Sequence, residues 1–323
     1  MEAELVKRHG VPYASIPAAG VHGVGLRTLP KNISKLMRGV IESRKILRDF
    51  RPDALFFTGG YVAVPMALAG LRVPSLLYVP DIEPGLALKA LAWFADKITV
   101  SAPASTAHFS RRSRVVETGY PTRTNLAQWD KSAAREKLEL EKDKPVLLVF
   151  GGSKGARSIN NALLANLPAL LERTQIIHIS GKLDWDTVQS ARDALDPKQA
   201  QNYRVFDYLH EEMGAALASA DLVVSRAGAS SLGEFPLFGL PALLVPYPYA
   251  WRYQKVNAEY LQEKGAAIMV RDETLEKNLL PLVDELLSNP QKLGKMHSAM
   301  QALSRPQAAE NIAAELLALA RKR

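Results

Sequence analysis

Cysteine is absent from this chain of 323 residues, which removes disulfides, thiolate metal sites and cysteine nucleophiles from the functions open to it. The six histidines, His9, His22, His108, His178, His210 and His297, show no metal-binding spacing such as H-x-x-x-H. No metal site is therefore expected. No apolar run reaches the roughly 18 residues that a membrane-spanning helix needs. The opening residues, MEAELVKRHG, are charged and contain no apolar signal core, so export is not expected. Low-complexity segments and short-period repeats are absent too.

What is present fits an ordinary globular protein. Hydrophobic residues make up 47% of the chain, and the length suggests two domains or one large one. The net charge of +8 is unevenly placed. From Arg27 to Arg51 the chain carries Lys31, Lys35, Arg38, Arg44, Lys45 and Arg48 against Glu42 and Asp49. Ile33, Leu36, Met37, Val40, Ile41 and Leu47 recur among them at helical spacing. A basic amphipathic helix of this kind can lie on anionic lipid headgroups. The plain alternative is a surface helix with its apolar face turned into the core. Nucleic acid is not expected, because no aromatics interleave with the basic residues.

Short continuous apolar runs alternate with helical patterns along both halves. PDALFFTGGYVAVPMALAGLRVPSLLYVP reads as strand, glycine turn, helix, strand, and FADKITVSA and SRVVETGYP add two more strands. A second series begins at PVLLVFGGSKGARSINNALLANLPALL and continues through TQIIHISG, YRVFDYL, ADLVVSRAG and PALLVPYP. Runs of this type, joined by helices, predict parallel sheets covered on both faces. The chain thus reads as two α/β units joined near residues 122–145, assigned as 1–125 and 126–323. Ligands of such sheets bind beyond the carboxyl ends of the strands.

Several glycine-rich stretches fall at those strand ends. GGSKGA, Gly151 to Ala156, follows a strand and opens a helix. Gly152 lets the backbone approach a ligand, Ser153 adds a donor, and the helix start attracts an anion. The spacing matches neither the dinucleotide fingerprint nor the Walker loop; a plain tight turn is the alternative. SRAGASSLGE repeats the logic: Arg226, Gly228, Ala229, Ser230 and Ser231 surround a second helix start, and Glu234 is expected about one turn into it. A carboxylate there can accept paired hydrogen bonds from vicinal hydroxyls, as ribose presents, or merely complement the helix dipole. In AWRYQKVNAEYL, Gln254 and Asn257 share a helical face and suit sugar hydroxyls. TGGYVAVP, YVPDIEPG with Asp81 and Glu83, and GYPTR with Arg123 complete the strand-end set.

In this order, MEAELVKRHGV, GGYVAVP, GYPTR, GGSKGA, SRAGASSLGE and QKVNA resemble the MurG family, the peptidoglycan N-acetylglucosaminyltransferases of glycosyltransferase family 28. The resemblance implies the GT-B fold: two Rossmann-like parallel-sheet domains facing a cleft, with the C-terminal helix crossing back to the first. It implies inverting, metal-independent transfer of N-acetylglucosamine from its UDP donor to an undecaprenyl-linked muramoyl-pentapeptide, at the cytoplasmic face of the membrane. The first domain would face acceptor and membrane, and the second would bind the UDP-sugar. Carried over by motif, Ser153 contacts the diphosphate, and Ala229, Ser230 and Ser231 line the nucleotide. Glu234 holds the ribose, Gln254 the sugar, Arg123 lies at the interdomain donor cleft, and the backbone of His210 meets the uracil.

Two departures stand out. The family's opening strand and its Gly-Thr-Gly-Gly-His loop have no counterpart, so the expectation is a late-called start, a fragment or an inactive protein. The family's His-Glu-Gln-Asn loop is here Tyr78-Val79-Pro80-Asp81. Asp81 takes the place of the donor-binding asparagine, and Asp81 or Glu83 is the expected base for the acceptor hydroxyl. Two further readings stay open: a transferase of the same fold acting on another lipid such as diacylglycerol, and a non-catalytic UDP-sugar-binding protein. A Rossmann dehydrogenase is disfavoured, because neither glycine turn reads G-x-G-x-x-G.

Overall fold

The computed structural model describes residues 6, 10–20, 25, 27–110, 112–152, 155–249 and 253–321. Its first unit contains helix α1 (Leu29–Phe50), followed by β1 (Leu55–Phe57), α2 (Ala63–Ala69), β2 (Ser75–Val79), α3 (Leu86–Ala92), β3 (Lys97–Val100) and β4 (Val115–Glu117). The second begins with α4 (Lys131–Lys137), β5 (Val146–Phe150), α5 (Arg157–Leu171) and β6 (Gln175–Ile179). Next come α6 (Trp185–Asp193), α7 (Pro197–Ala200), β7 (Tyr203–Phe206), α8 (Met213–Ser219) and β8 (Leu222–Ser225). The chain closes with α9 (Glu234–Phe238), β9 (Ala242–Leu244), α10 (Tyr253–Glu263), β10 (Ala267–Met269), α11 (Leu275–Leu287), α12 (Pro290–Ala302) and α13 (Ala308–Ala320).

Both sheets are parallel, as the continuous apolar runs predict. The first has the order β1-β2-β3-β4 and the second β10-β9-β8-β5-β6-β7. The strand β5, Val-Leu-Leu-Val-Phe, is buried on both faces because helices cover each side of the sheet. The edge strand β10 is not among the sequence-predicted strands, although GAAIMVRD carries a short apolar run after a glycine. In the second sheet the chain runs outward from β5 through β6 and β7, then returns to β8 on the other side. That reversal leaves a crevice between the carboxyl ends of β5 and β8, where such sheets bind ligands.

The C-terminal helix crosses back. Ile312, Leu316 and Leu319 of α13 pack with Leu76, Tyr78 and Tyr120 of the first unit, and Glu315 pairs with Lys97. Arg305, just before α13, reaches Glu117 at 2.9 Å. The two units are therefore joined by packed side chains as well as by the chain.

Helix α1 divides its apolar residues. Gly39 and Ser43 are buried and Leu36, Val40 and Leu47 are half-buried on the protein side. Ile33, Met37 and Ile41 remain 47%, 59% and 52% exposed, a stripe at i, i+4, i+8 with lysines and arginines beside it. The purely core-facing alternative fails for these three residues.

Candidate nucleotide-sugar site

A cavity of about 1040 Å³ opens at the β5/β8 crevice. Its walls are the turn after β5 (Gly151, Gly152, Gly155), the start of α5 (Arg157, Ser158), the turn after β8 (Arg226, Gly228, Ser230, Ser231), and Tyr247, Gln254 and Asp272. Gly155 has φ +77°, and a Cβ there would lie 2.3 Å from the Ser180 carbonyl oxygen. Only glycine permits this turn to fold back beside β6. Among the described residues no side chain caps the start of α5, so its first-turn N–H groups and dipole can serve an anion. Ser153 lies outside the described residues.

Arg226 is fixed, not free to follow a ligand. It donates to the Val245 carbonyl at 3.0 Å and to the Ser158 hydroxyl at 2.8 Å, pairs with Asp272, and lies 5.3 Å from the centre of the Tyr247 ring. Ser158 in turn donates to Asp272 at 2.8 Å. The result is a polar floor in which an arginine, a carboxylate and a hydroxyl are held before any ligand arrives. Sequence reading found Arg226 but missed Ser158, Tyr247 and Asp272. Ser158 was detectable as the second residue of the helix that GGSKGA opens. Asp272 follows no glycine turn and meets Arg226 only through the fold.

Gln254 lies in the cavity wall and accepts from the Tyr247 N–H at 2.9 Å through Oε1, leaving its amide nitrogen as the remaining donor. Ser231 is buried and donates to the Gly228 carbonyl at 2.6 Å, bracing the second turn. Ala229 begins a single 3-10 turn, Ala229–Leu232. Glu234 therefore opens a five-residue helix after Gly233, not one turn into a helix as the sequence suggested.

Glu234 is not part of the cavity wall, although its neighbour Ser230 is. Burial pushes its carboxyl above the usual range, and the Arg123 guanidinium and Ser230 hydroxyl pull it partly back. Arg123 also donates to the His210 carbonyl at 3.4 Å, so residues 123 and 210 meet across the units. His210 is exposed, with its ring centroid 4.5 Å from that of Tyr208. Tyr120, which the sequence did not single out, packs so closely on Gly233 that a Cβ there would lie 2.7 Å from its ring. Glu234 and Asp81 both act on the Tyr120 hydroxyl, and with burial they raise its pKa.

Of the three remaining predicted residues, Asp81, Glu83 and Asn257, the first and last meet. Burial holds the Asp81 carboxyl above the usual range, opposed by a hydrogen bond from Asn257. Glu83 is only 3% exposed and pairs with Lys89 at 3.2 Å, so its carboxylate is buried and engaged by a cation. Asn257 is 0% exposed. Its Nδ2 donates to Asp81 at 2.8 Å and to the Ala227 carbonyl at 3.1 Å, and its Oδ1 accepts from the Ile82 N–H at 3.0 Å. The sequence placed it on one face with Gln254 as a sugar ligand. In this structure both atoms of its amide are occupied by protein. The i, i+3 spacing turns one amide toward the cavity and the other toward the first unit.

Among the described residues no helix is long and apolar enough to cross a membrane. Behind the cavity wall, a buried network fixes a histidine. Asn160 Nδ2 donates to the Ser180 carbonyl and to Asp184, both at 2.9 Å, so its Oδ1 must face His178 Nε2 at 3.0 Å. A neutral His178 donates there from Nε2 and accepts from the Tyr203 hydroxyl at Nδ1, 2.7 Å away. Burial pushes its pKa down to about 3.

Comparison with known proteins places this geometry. The model of the glycosyltransferase family 28 C-terminal domain matches residues 146–312, and that of the N-terminal domain matches residues 1–100. The UDP-N-acetylglucosamine--N-acetylmuramyl-(pentapeptide) pyrophosphoryl-undecaprenol N-acetylglucosamine transferase of Roseiflexus sp. is 39% identical over 97% of this chain and 80% of its own length. Its namesake from Listeria welshimeri is 33% identical over 99% of this chain and 88% of its own. The crystal structure of Acinetobacter baumannii MurG superposes with a TM-score of 0.77 at 26% identity, covering 98% of this chain and 88% of that one. A Staphylococcus aureus MnaA–UDP structure shares the fold, with a TM-score of 0.66 at 15% identity, covering 96% and 84%. The chain is a member of glycosyltransferase family 28, with the two-domain GT-B fold of the MurG transferases.

Proposed function

We propose that this chain transfers N-acetylglucosamine from UDP-N-acetylglucosamine to an undecaprenyl-linked muramoyl-pentapeptide in peptidoglycan synthesis, the reaction for which its relatives are named. The observation that carries the proposal is the cavity at the β5/β8 crevice, with two glycine turns, an uncapped helix start and a pre-fixed polar floor in one wall. The diphosphate fits the turn after β5 and the start of α5, Ser230 and Glu234 serve the ribose, and the amide nitrogen of Gln254 serves the sugar. Charge on the departing diphosphate is met by the α5 N-terminus and backbone N–H groups, the role a metal fills in other folds.

The acceptor hydroxyl oxygen attacks the anomeric carbon from the side opposite the diphosphate, the bond from carbon to diphosphate oxygen breaks, and UDP departs. The configuration inverts, and the hydroxyl proton passes to a carboxylate. Of the two expected bases, Asp81 is favoured. It stands at the junction of the units with a raised pKa, whereas Glu83 is enclosed and paired with Lys89. Calorimetric titration of UDP-N-acetylglucosamine, paired with transfer to a lipid-linked muramoyl-pentapeptide, tests the assignment. Binding without transfer to this acceptor contradicts it, and transfer to diacylglycerol instead moves the chain to another acceptor class.

The stripe Ile33, Met37 and Ile41 supports peripheral attachment to the anionic, cytoplasmic face of a bacterial membrane. Co-sedimentation with phosphatidylglycerol vesicles but not phosphatidylcholine vesicles is the expected result. Equal binding to both, or to neither, removes this surface from the account.

A further inference from the structure

Asn257 belongs to α10 of the second unit, yet two of its three hydrogen bonds reach the first. The loop it grips, between β2 and α3, carries Asp81 and Ile82. The third bond ends on Ala227, in the turn that also supplies Arg226 and Gly228 to the cavity. A single buried side chain thus ties the end of strand β2 to the nucleotide turn after β8. Close by, the Tyr253 hydroxyl lies 3.1 Å from where a Cβ of Gly85 would stand, so α10 meets this loop at both ends.

We propose that Asn257 is a positioning residue: a fully buried strut between the units that sets the Asp81 carboxylate against the donor site and does not itself touch the sugar. The inference rests on the transferase reading above for its kinetic consequences, and on the three hydrogen bonds alone for its structure. Its geometry is specific to an amide. A donor is needed for Asp81 and Ala227 and an acceptor for the Ile82 N–H, and no other uncharged side chain of this length offers both. The ionisable groups around Asp81 are Tyr78 at the end of β2 and Tyr120 in the strand-end loop after β4, with Glu234 acting on Tyr120 and Arg123 acting on Glu234. Neither tyrosine supplies a positive charge, so the amide of Asn257 is what favours the ionised form of Asp81.

The test separates positioning from ligand binding. In Asn257→Ala, kcat falls on the order of 100-fold, the cost of a misplaced group, while the affinity for UDP stays within about twofold of wild type. Its acid limb moves to higher pH, because the lost hydrogen bond favoured the charged carboxylate. Loss of UDP affinity in step with kcat would restore Asn257 as a donor ligand and overturn the proposal, as would an unchanged kcat and pH profile. Melting and UDP titration check that the variant folds.

If Asn257→Ala does not fold, Asn257→Asp replaces it. That carboxylate keeps the acceptor for Ile82 but opposes Asp81, so its activity should rise as pH falls, opposite to wild type; a wild-type pH profile overturns the proposal. Amide exchange in the unmodified protein is independent of turnover. Ile82 N–H should be strongly protected although it lies in a loop, and exchange at the rate of an exposed amide removes the strut. A wild type that holds this protection but transfers no sugar would refute the functional reading and leave the strut standing.

Discussion

The second unit encloses its cavity with its own elements, whereas the first brings to the cleft a carboxylate that the other unit must hold. Arg226, Ser158 and Asp272 are locked together without help from residues before 146. Asp81, by contrast, is fixed by an amide 176 residues away in sequence. This difference separates binding from chemistry. On the proposed reading, the nucleotide would be held at one sheet's β5/β8 crevice, and the reaction would depend on the alignment of two bodies.

The sharpest way to break that comparison is Asp81→Asn. It keeps an oxygen for Asn257 but cannot accept a proton, so kcat should fall about 10²- to 10⁴-fold with UDP affinity unchanged; steady-state kinetics decide. Glu234→Ala is the next largest effect and acts on the other side. Hydrogen bonds to a charged group are worth about 1.5–3 kcal/mol, so UDP-N-acetylglucosamine should bind about 10- to 150-fold more weakly. UDP-sugar affinity that survives in this variant would detach the ribose from Glu234.

A third prediction concerns stability. The unfolded chain binds a proton at His178 near pH 6.5, but the folded chain does so only near 3. The folded pKa is depressed, so this contribution is complete above 6.5 and is lost as pH falls toward 3. Wild type should therefore lose about 1.4 kcal/mol per pH unit below 6.5 relative to His178→Gln. Denaturant titrations at several pH values check this, and parallel curves would mean the histidine is already protonated in the fold. The smallest effect on chemistry is expected from Ile33→Ser with Met37→Ser. Vesicle binding should fall, while calorimetry shows the wild-type UDP affinity.

The layout of both sheets was legible because buried parallel strands are written as apolar runs, as in Val146–Phe150. Glycine turns marked the strand ends, and with them Gly152, Arg226, Gly228, Ser230 and Ser231. Gln254 was legible by family motif, and it too lines the cavity. Partners distant in sequence left no such mark. Asp272 reaches Arg226 and Tyr120 reaches Gly233 only after the units pack, so no local pattern shows them. The partners of Asn257 were hidden for a related reason. Helical spacing gives the face a residue shares, but not that the first unit covers part of that face. The basic stretch after Arg27 was ambiguous in sequence because its helix is apolar on two sides, and only packing separates Leu36, Val40 and Leu47 from Ile33, Met37 and Ile41.

The most direct test of the division between binding and chemistry is calorimetric titration of UDP-N-acetylglucosamine into Asp81→Asn and Glu234→Ala side by side. Wild-type affinity in the first and weakened binding in the second is the predicted result. Equal weakening in both, or in neither, would contradict a nucleotide site built by the second unit alone.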